Sequence, residues 1–526
     1  MLRRKQILAV LIFALWSVAA AQSQKKTITH EAIWLMKRVG APYVSPDGKW
    51  VLVAVTEPSY DPKEQVSDLW LLPSDGSGSP KRLTFTKSGE SGPAWSPDSR
   101  KIAFSAKREG DEETQIYVID VVGGGEAQRV TNISTGARSP RWRPDGKALM
   151  YVSSVFPGAA DDEANKKMAK ERKDRKYNAR VYESFPIRYW DRWLDDKQIT
   201  LFVQDADLAA KPKNLLAGSK LIAKAGFGGR FGDTSEEMDA TWTPDGKSII
   251  FSATTDRNAA AYQQVPYQLY SIAAEGGEPV QLTSGTGQYG SPTFRPDGKA
   301  LYAQFEPAND KEYNLTRIAM FPWPNLQSGN LQSGNSAQGT VITPNFDRSV
   351  NKFIFSADSK TIYLTAEDAG LVKIFTLPAN GGEVKEAIAM DRGVYSGIEI
   401  PEKSSSPMMI AKWESSVNPG EVVRVDIGAK KHTVLTNFAA DEAAKIDWQP
   451  PRHFWFTSKG GRKIHNMLVL PPNFDPNKKY PLFTIIHGGA HNMFQDAISL
   501  RWNYHMYASP GYVVLLTNYT GSTGFG

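Results

Sequence analysis

Short apolar runs of β character alternate along most of this chain with tight polar turns, and the spacing repeats. The turn Ser45-Pro46-Asp47-Gly48-Lys49 recurs as Ser96-Pro97-Asp98-Ser99-Arg100, Arg143-Pro144-Asp145-Gly146-Lys147, Thr243-Pro244-Asp245-Gly246-Lys247 and Arg295-Pro296-Asp297-Gly298-Lys299. A weakened copy stands at Ser356-Ala357-Asp358-Ser359-Lys360. Pro presets φ, Asp bonds its own backbone and Gly accepts positive φ, so each copy predicts a sharp reversal. An apolar run follows each: Trp50 to Val55, Ile102 to Ser105, Ala148 to Val152, Ile249 to Ser252, Leu301 to Phe305 and Ile362 to Thr365. Several units close on a shared ending, Lys81-Arg82-Leu83-Thr84, Gln128-Arg129-Val130-Thr131, Val280-Gln281-Leu282-Thr283 and Thr433-Val434-Leu435-Thr436. A period of roughly fifty residues with about four strands per unit predicts a β-propeller.

Seven blades are counted over residues 41–440. The doubled gap between the third and fourth turns is assigned to one third blade carrying an insertion, residues 157–197. Asp161 to Lys176 of that insertion is charged and helix-prone, and Tyr182 to Trp193 mixes aromatics with charges. The tandem Leu326-Gln327-Ser328-Gly329-Asn330 and Leu331 to Asn335 reads as a tolerated surface loop. Ahead of the repeats, residues 22–40 predict an N-terminal helical segment, with Ala32, Leu35, Met36 and Val39 at helical spacing.

Past residue 440 the pattern changes. Trp455 and Ile464 to Leu470 read as the first strands of a second domain, residues 441–526. Leu482 to Ile486 is dense enough for a buried strand and runs into His487-Gly488-Gly489, a turn whose N–H groups no side chain obstructs. About twenty residues with helix-compatible spacing follow, then the strand Tyr512 to Leu516 and the loop Asn518-Tyr519-Thr520-Gly521-Ser522-Thr523-Gly524-Phe525-Gly526. Strand, His-Gly-Gly turn, helix, strand and glycine loop is the opening of an α/β-hydrolase, where such a turn supplies an oxyanion donor. The fold class expected is therefore an all-β seven-bladed propeller followed by the N-terminal part of an α/β-hydrolase domain.

Composition narrows the setting. Lys and Arg total 62 against 56 Asp and Glu, and no RNA-binding aromatic motif or basic helix is present, so no nucleic-acid partner is expected. Leu2-Arg3-Arg4-Lys5, the apolar Ile7 to Ala20 and Ala19-Ala20-Ala21 make residues 1–21 a signal peptide cut before Gln22, without a stable membrane anchor. No cysteine follows it, which excludes a lipid anchor, disulfides and thiolate chemistry. A periplasmic or extracellular location is expected.

The order of signal peptide, propeller and hydrolase start resembles the prolyl oligopeptidase family, most closely its secreted bacterial dipeptidyl-peptidase and acylaminoacyl-peptidase members. The motifs that carry the resemblance are His487-Gly488-Gly489 and Asn518 to Gly526, similar to a family pattern N-Y-R-G-S-T-G-Y-G with Thr520 for Arg and Phe525 for Tyr. The resemblance implies a serine exopeptidase that acts on oligopeptides through an acyl-enzyme, the propeller serving as a size filter. It implies no cofactor. Gly489 would give a backbone oxyanion donor, with His487 and Gly488 shaping the turn. His487 precedes the expected nucleophile, so it is read as a brace and not as the base. Val181-Tyr182-Glu183 resembles part of the motif that binds a substrate's α-ammonium, making Glu183 a candidate anchor. His487 and His491 lack the intervening glutamate of a zinc motif, and no metal is expected. The chain has no G-x-S-x-G elbow, so the triad is expected after Gly526 and residues 1–526 alone should be inactive. The competing readings are a non-catalytic propeller of the TolB-like kind and an esterase using the same oxyanion machinery.

Overall fold

The computed structural model describes residues 25–526 except 88, 183–184, 190, 195–196, 232–235, 286, 310, 312, 325–338, 404–407 and 490. The signal-peptide expectation, the tandem loop and Glu183 lie outside the described residues.

Four-stranded antiparallel meanders make up the body of the chain. The first is Arg38–Val44, Trp50–Glu57, Val66–Pro73 and Lys81–Arg82. Its Pro-Asp-Gly turn is closed by side chains. Ser45 Oγ donates to Asp47 Oδ1 at 2.6 Å, the Lys49 N–H donates to the same oxygen at 3.1 Å, and Gly48 takes φ +75°. Ser99 and Ser359 occupy that glycine position at φ +63° and +64°. Each hydroxyl accepts the Asp47 or Asp297 N–H of a neighbouring unit's turn at 3.0 Å, so a bond between units offsets the backbone strain.

The shared Thr endings have one physical role. The fourth strand of most units spans only two residues, and the buried threonine beyond it prolongs the ladder with its side chain. Thr84, Thr131, Thr283, Thr343 and Thr436 accept the N–H of Leu69, Ile116, Leu269, Ile318 and Val422 at 2.8–3.0 Å. Four of these hydroxyls also donate, to Glu90, Gln115, Gln268 and Glu421, so both hydrogen-bonding capacities are used. Successive units are also stapled: the indoles of Trp95, Trp142 and Trp242 donate to Tyr43, Ala94 and Arg141 carbonyls at 3.0, 3.1 and 3.3 Å.

The doubled gap holds one sheet, Arg138–Trp142, Ala148–Val155, Gln198–Asp205 and Lys213–Asn214. Its insertion contains the helix Asp162–Lys173, capped by Asp161. The last two meanders join through a parallel contact of Val372 with Val394. The first unit meets the last through packing of Val39, Val51, Val53, Val55 and Leu72 on Ile410 and Val422, with no strand shared between them among the described residues.

The C-terminal sheet has the order Arg452–Thr457, Lys463–Val469, Val513–Asn518, Leu482–Ile486, the last two parallel. It presents exposed apolar side chains, among them Phe454, Trp455, Leu482 and Ile486.

Two helical expectations contract. The N-terminal spacing yields only the five-residue helix His30–Trp34, and Val39 already belongs to the first strand. Between the parallel strands the only α-helix among the described residues is Tyr504–Ala508. Residues 491–503 run as a strap because their backbone donors are engaged elsewhere: Phe494 N–H by Asn518 Oδ1 and Asp496 N–H by Gly370 O, both at 2.8 Å. Tertiary bonding here overrides helical spacing. Among the described residues no helix is long and apolar enough to cross a membrane.

Candidate active site

The parallel strand Leu482–Ile486 delivers His487-Gly488-Gly489 at its C-terminal end. Gly488 and Gly489 are exposed, and a Cβ built on either meets no heavy atom within 4 Å. Gly489 has φ +68°, a conformation that favours glycine. Among the described residues neither N–H meets an acceptor. Two backbone donors without an acceptor among the described residues thus stand in an exposed, side-chain-free turn.

His487 is buried behind this turn. Its Nε2 lies 2.8 Å from Ser522 Oγ and its Nδ1 3.2 Å from Gly488 O. Tyr519 stacks on the imidazole with centroids 4.4 Å apart, and its hydroxyl donates to His487 O at 2.8 Å. The Ser/Thr/Gly-rich loop is therefore the scaffold of the turn. Asn518 opens that loop, and its Nδ2 donates to His465 Nδ1 at 3.1 Å. Burial pushes the His465 pKa down to about 4, with the neighbouring His453 adding to the effect. Gly524, at φ +78°, is required by contact, because a Cβ there would lie 2.7 Å from Met493 Sδ.

The strap binds this assembly to the propeller. His491 stacks on Tyr313 with centroids 5.4 Å apart and planes 23° from parallel. Gln495 Nε2 donates to Glu367 Oε1 at 2.6 Å. Asp496 is 1% exposed, and its two oxygens accept the Gly393 and Ser416 N–H groups at 2.8 and 3.0 Å. From the loop side, Ala369 N–H donates to Gly524 O at 3.1 Å. A cavity of about 400 Å³ lies between the fourth and fifth meanders, lined by Arg230, Asp239, Tyr267, Gln288, Glu306 and Thr316. Its Glu306, near the end of the strand that precedes the Tyr313 loop, accepts bonds from Gln288 and from Thr316, which stands just before the strand that follows that loop.

The structure brings His487, Gly488 and Gly489 into one turn, whereas the neighbourhood of Glu183 is seen only through residues around it. Tyr182 OH donates to Leu194 O at 3.1 Å, and Tyr182 and Trp193 rings lie 6.4 Å apart. Among the described residues no group of three or more His, Cys, Asp or Glu is placed to hold a metal. Sequence reasoning missed Asp496 and Tyr313. The available signal for Asp496 was a carboxylate within an apolar and aromatic stretch; Tyr313 offered none.

The description "TolB beta propeller domain" matches residues 20–173. Dipeptidyl-peptidase 5 of Porphyromonas gingivalis is 26% identical over 518 residues, covering 97% of this chain and 70% of the relative. Dipeptidyl-peptidase 5 of Trichophyton equinum is 29% identical over 378 residues, 66% of this chain and 48% of the relative. This chain thus spans about half the length of the fungal relative. Among solved structures, Pyrococcus horikoshii acylaminoacyl peptidase has a TM-score of 0.68 at 19% identity, over 95% of this chain and 68% of that one. A puromycin hydrolase has a TM-score of 0.62 at 15% identity, over 95% and 69%. These likenesses establish the fold, a β-propeller joined to a hydrolase-type sheet.

Proposed function

We infer that this chain, a member of the prolyl oligopeptidase family, supplies the propeller and oxyanion-binding half of a serine exopeptidase. The enzyme releases short N-terminal fragments, dipeptides or acyl-amino acids, from oligopeptides. The observation that carries this reading is the exposed turn at the end of a parallel strand, where the Gly488 and Gly489 N–H groups meet no acceptor among the described residues. In the reaction a serine Oγ attacks the scissile carbonyl, a histidine takes its proton, and the Gly489 N–H binds the tetrahedral oxyanion. The histidine then protonates the leaving amine, and water hydrolyses the acyl-enzyme. The nucleophile, acid and base are assigned to residues that follow the glycine-rich loop. His487 keeps the turn in place and does not exchange protons with substrate.

The finer organisation belongs to the same proposal. Seven blades span residues 41–440, the hydrolase portion begins at 441, and residues 1–21 direct secretion to the periplasm or beyond. Glu183 anchors the substrate's free ammonium. Oligopeptides reach the site through a propeller that excludes folded proteins.

The deciding experiment expresses the reading frame together with whatever follows Gly526, then measures release from dipeptidyl and acyl-amino-acid chromogenic substrates. Labelling by a fluorophosphonate is read alongside. Hydrolysis with labelling supports the proposal. Peptide binding without hydrolysis or labelling would overturn it in favour of a non-catalytic binding propeller.

A further inference from the structure

Gly488 and Gly489 cannot fix their own orientation. They have no side chains, their N–H groups meet no acceptor among the described residues, and nothing packs where a Cβ would stand. Glycine also has the widest backbone freedom of any residue. The direction of the two donors is therefore set by their neighbours. On one side stands His487, held by Ser522 and Tyr519 within the same domain. On the other stands His491, whose N–H donates to Gly489 O. The ring of His491 is exposed to solvent and lies against Tyr313, a propeller residue between the strands Ala300–Pro307 and Arg317–Pro322. Tyr313 is itself anchored: its hydroxyl lies 2.9 Å from Ser349 Oγ, which accepts the Thr316 N–H at 3.2 Å.

We propose that Tyr313 is a positioning residue, which holds the donors of the Gly488-Gly489 turn at a fixed angle through its stack on His491. The inference rests on the oxyanion role given to this turn above. It adds that the propeller takes part in aligning the catalytic machinery, beyond filtering substrates by size. Among the described residues Tyr313 makes no hydrogen bond to the turn and reaches it only through His491. Its effect must therefore fall on turnover and spare substrate binding.

Two readouts test this on Tyr313→Ala and Tyr313→Phe. In ¹⁵N-glycine-labelled protein, the order parameters of Gly488 and Gly489 should lie near the rigid value of about 0.85 in the native chain and in Tyr313→Phe, and fall below about 0.6 in Tyr313→Ala. In the polypeptide that also carries the nucleophile, Tyr313→Ala should lower kcat at least tenfold with KM within twofold. Tyr313→Phe, which keeps the ring, should recover kcat to within threefold. A Tyr313→Ala protein with native order parameters at both glycines, or with a raised KM and unchanged kcat, overturns the proposal. If the native protein hydrolyses no peptide, the catalytic reading fails on its own, and the order parameters still decide whether Tyr313 fixes the turn.

Discussion

Asp496→Ala tests how the strap is latched to the propeller. The carboxylate is 1% exposed and accepts two backbone N–H groups, from Gly393 and Ser416, that belong to the last propeller unit. Truncation to Ala leaves both donors buried with no partner. An unsatisfied buried donor costs about 1–3 kcal/mol, so the pair is expected to cost about 4 kcal/mol of local stability. Asp496→Asn keeps one acceptor oxygen and should cost about half as much, since its amide group faces the second N–H as a donor. The assay is native-state hydrogen exchange at Gly393 and Ser416, which reads the free energy of opening the interface. At about 1.4 kcal/mol per factor of ten, exchange at both amides should accelerate by roughly two to three orders of magnitude in Asp496→Ala and by about one to two in Asp496→Asn. The strand Lys101–Ala106, in the second unit, serves as the control and should not change. Acceleration below about fivefold at both positions would refute the latch. Equal acceleration in the control strand would show that the whole fold had been weakened.

Gly489→Ala forces an L-residue to φ +68°, at about 1–2 kcal/mol of local strain, and tilts the donor; kcat of the complete enzyme should fall roughly a hundredfold with little change in KM. Thr131→Val removes the acceptor for the buried Ile116 N–H and should lower the free energy of unfolding by about 1–3 kcal/mol in urea denaturation. His465 and His505 are held near pKa 4, against an ordinary value of 6.5, chiefly by burial. Because protons bind the unfolded chain first, stability should be fully present above about pH 6.5 and be lost as the pH falls toward 4, by at most about 3 kcal/mol per histidine; a thermal midpoint flat across that window would contradict it. Glu183→Ala should raise KM for substrates with a free amino terminus and leave N-acylated substrates unaffected; equal kinetics on both would remove Glu183 as the anchor.

The propeller was legible because each unit repeats the same local chemistry. Asp47 and its counterparts close their turns through bonds to residues two positions away, so the motif and its geometry are one short-range fact. The Thr endings were visible as a pattern, but their reason was not. That Thr131 accepts from Ile116, fifteen residues earlier on an adjacent strand, is a tertiary fact. The His-Gly-Gly turn was readable for a similar reason, since strand, glycines and following loop are contiguous. The strap was read as helical because the spacing of apolar and aromatic residues between the two strands allows it, whereas its backbone donors are taken by the propeller and the glycine loop. Met493 shows the difference: its sulfur accepts the Gly370 N–H at 3.2 Å, across 123 positions of sequence. Tyr313 gave no sign, because what it does depends on the loop that faces it.

The strap has a consequence for recombining parts of such proteins. A cut at the proposed boundary near residue 440 would separate propeller from hydrolase portion, yet contacts that join them are encoded on both sides of it. Residues 491–496 carry the aromatic ring and the carboxylate, while Tyr313, Glu367, Gly393 and Ser416 carry the matching surface. A chimera that joins this hydrolase portion to a foreign propeller would inherit half of a lock. An exchange that respects these contacts moves residues 491–496, and the Gly524 loop that accepts the Ala369 N–H, together with the propeller they were built against.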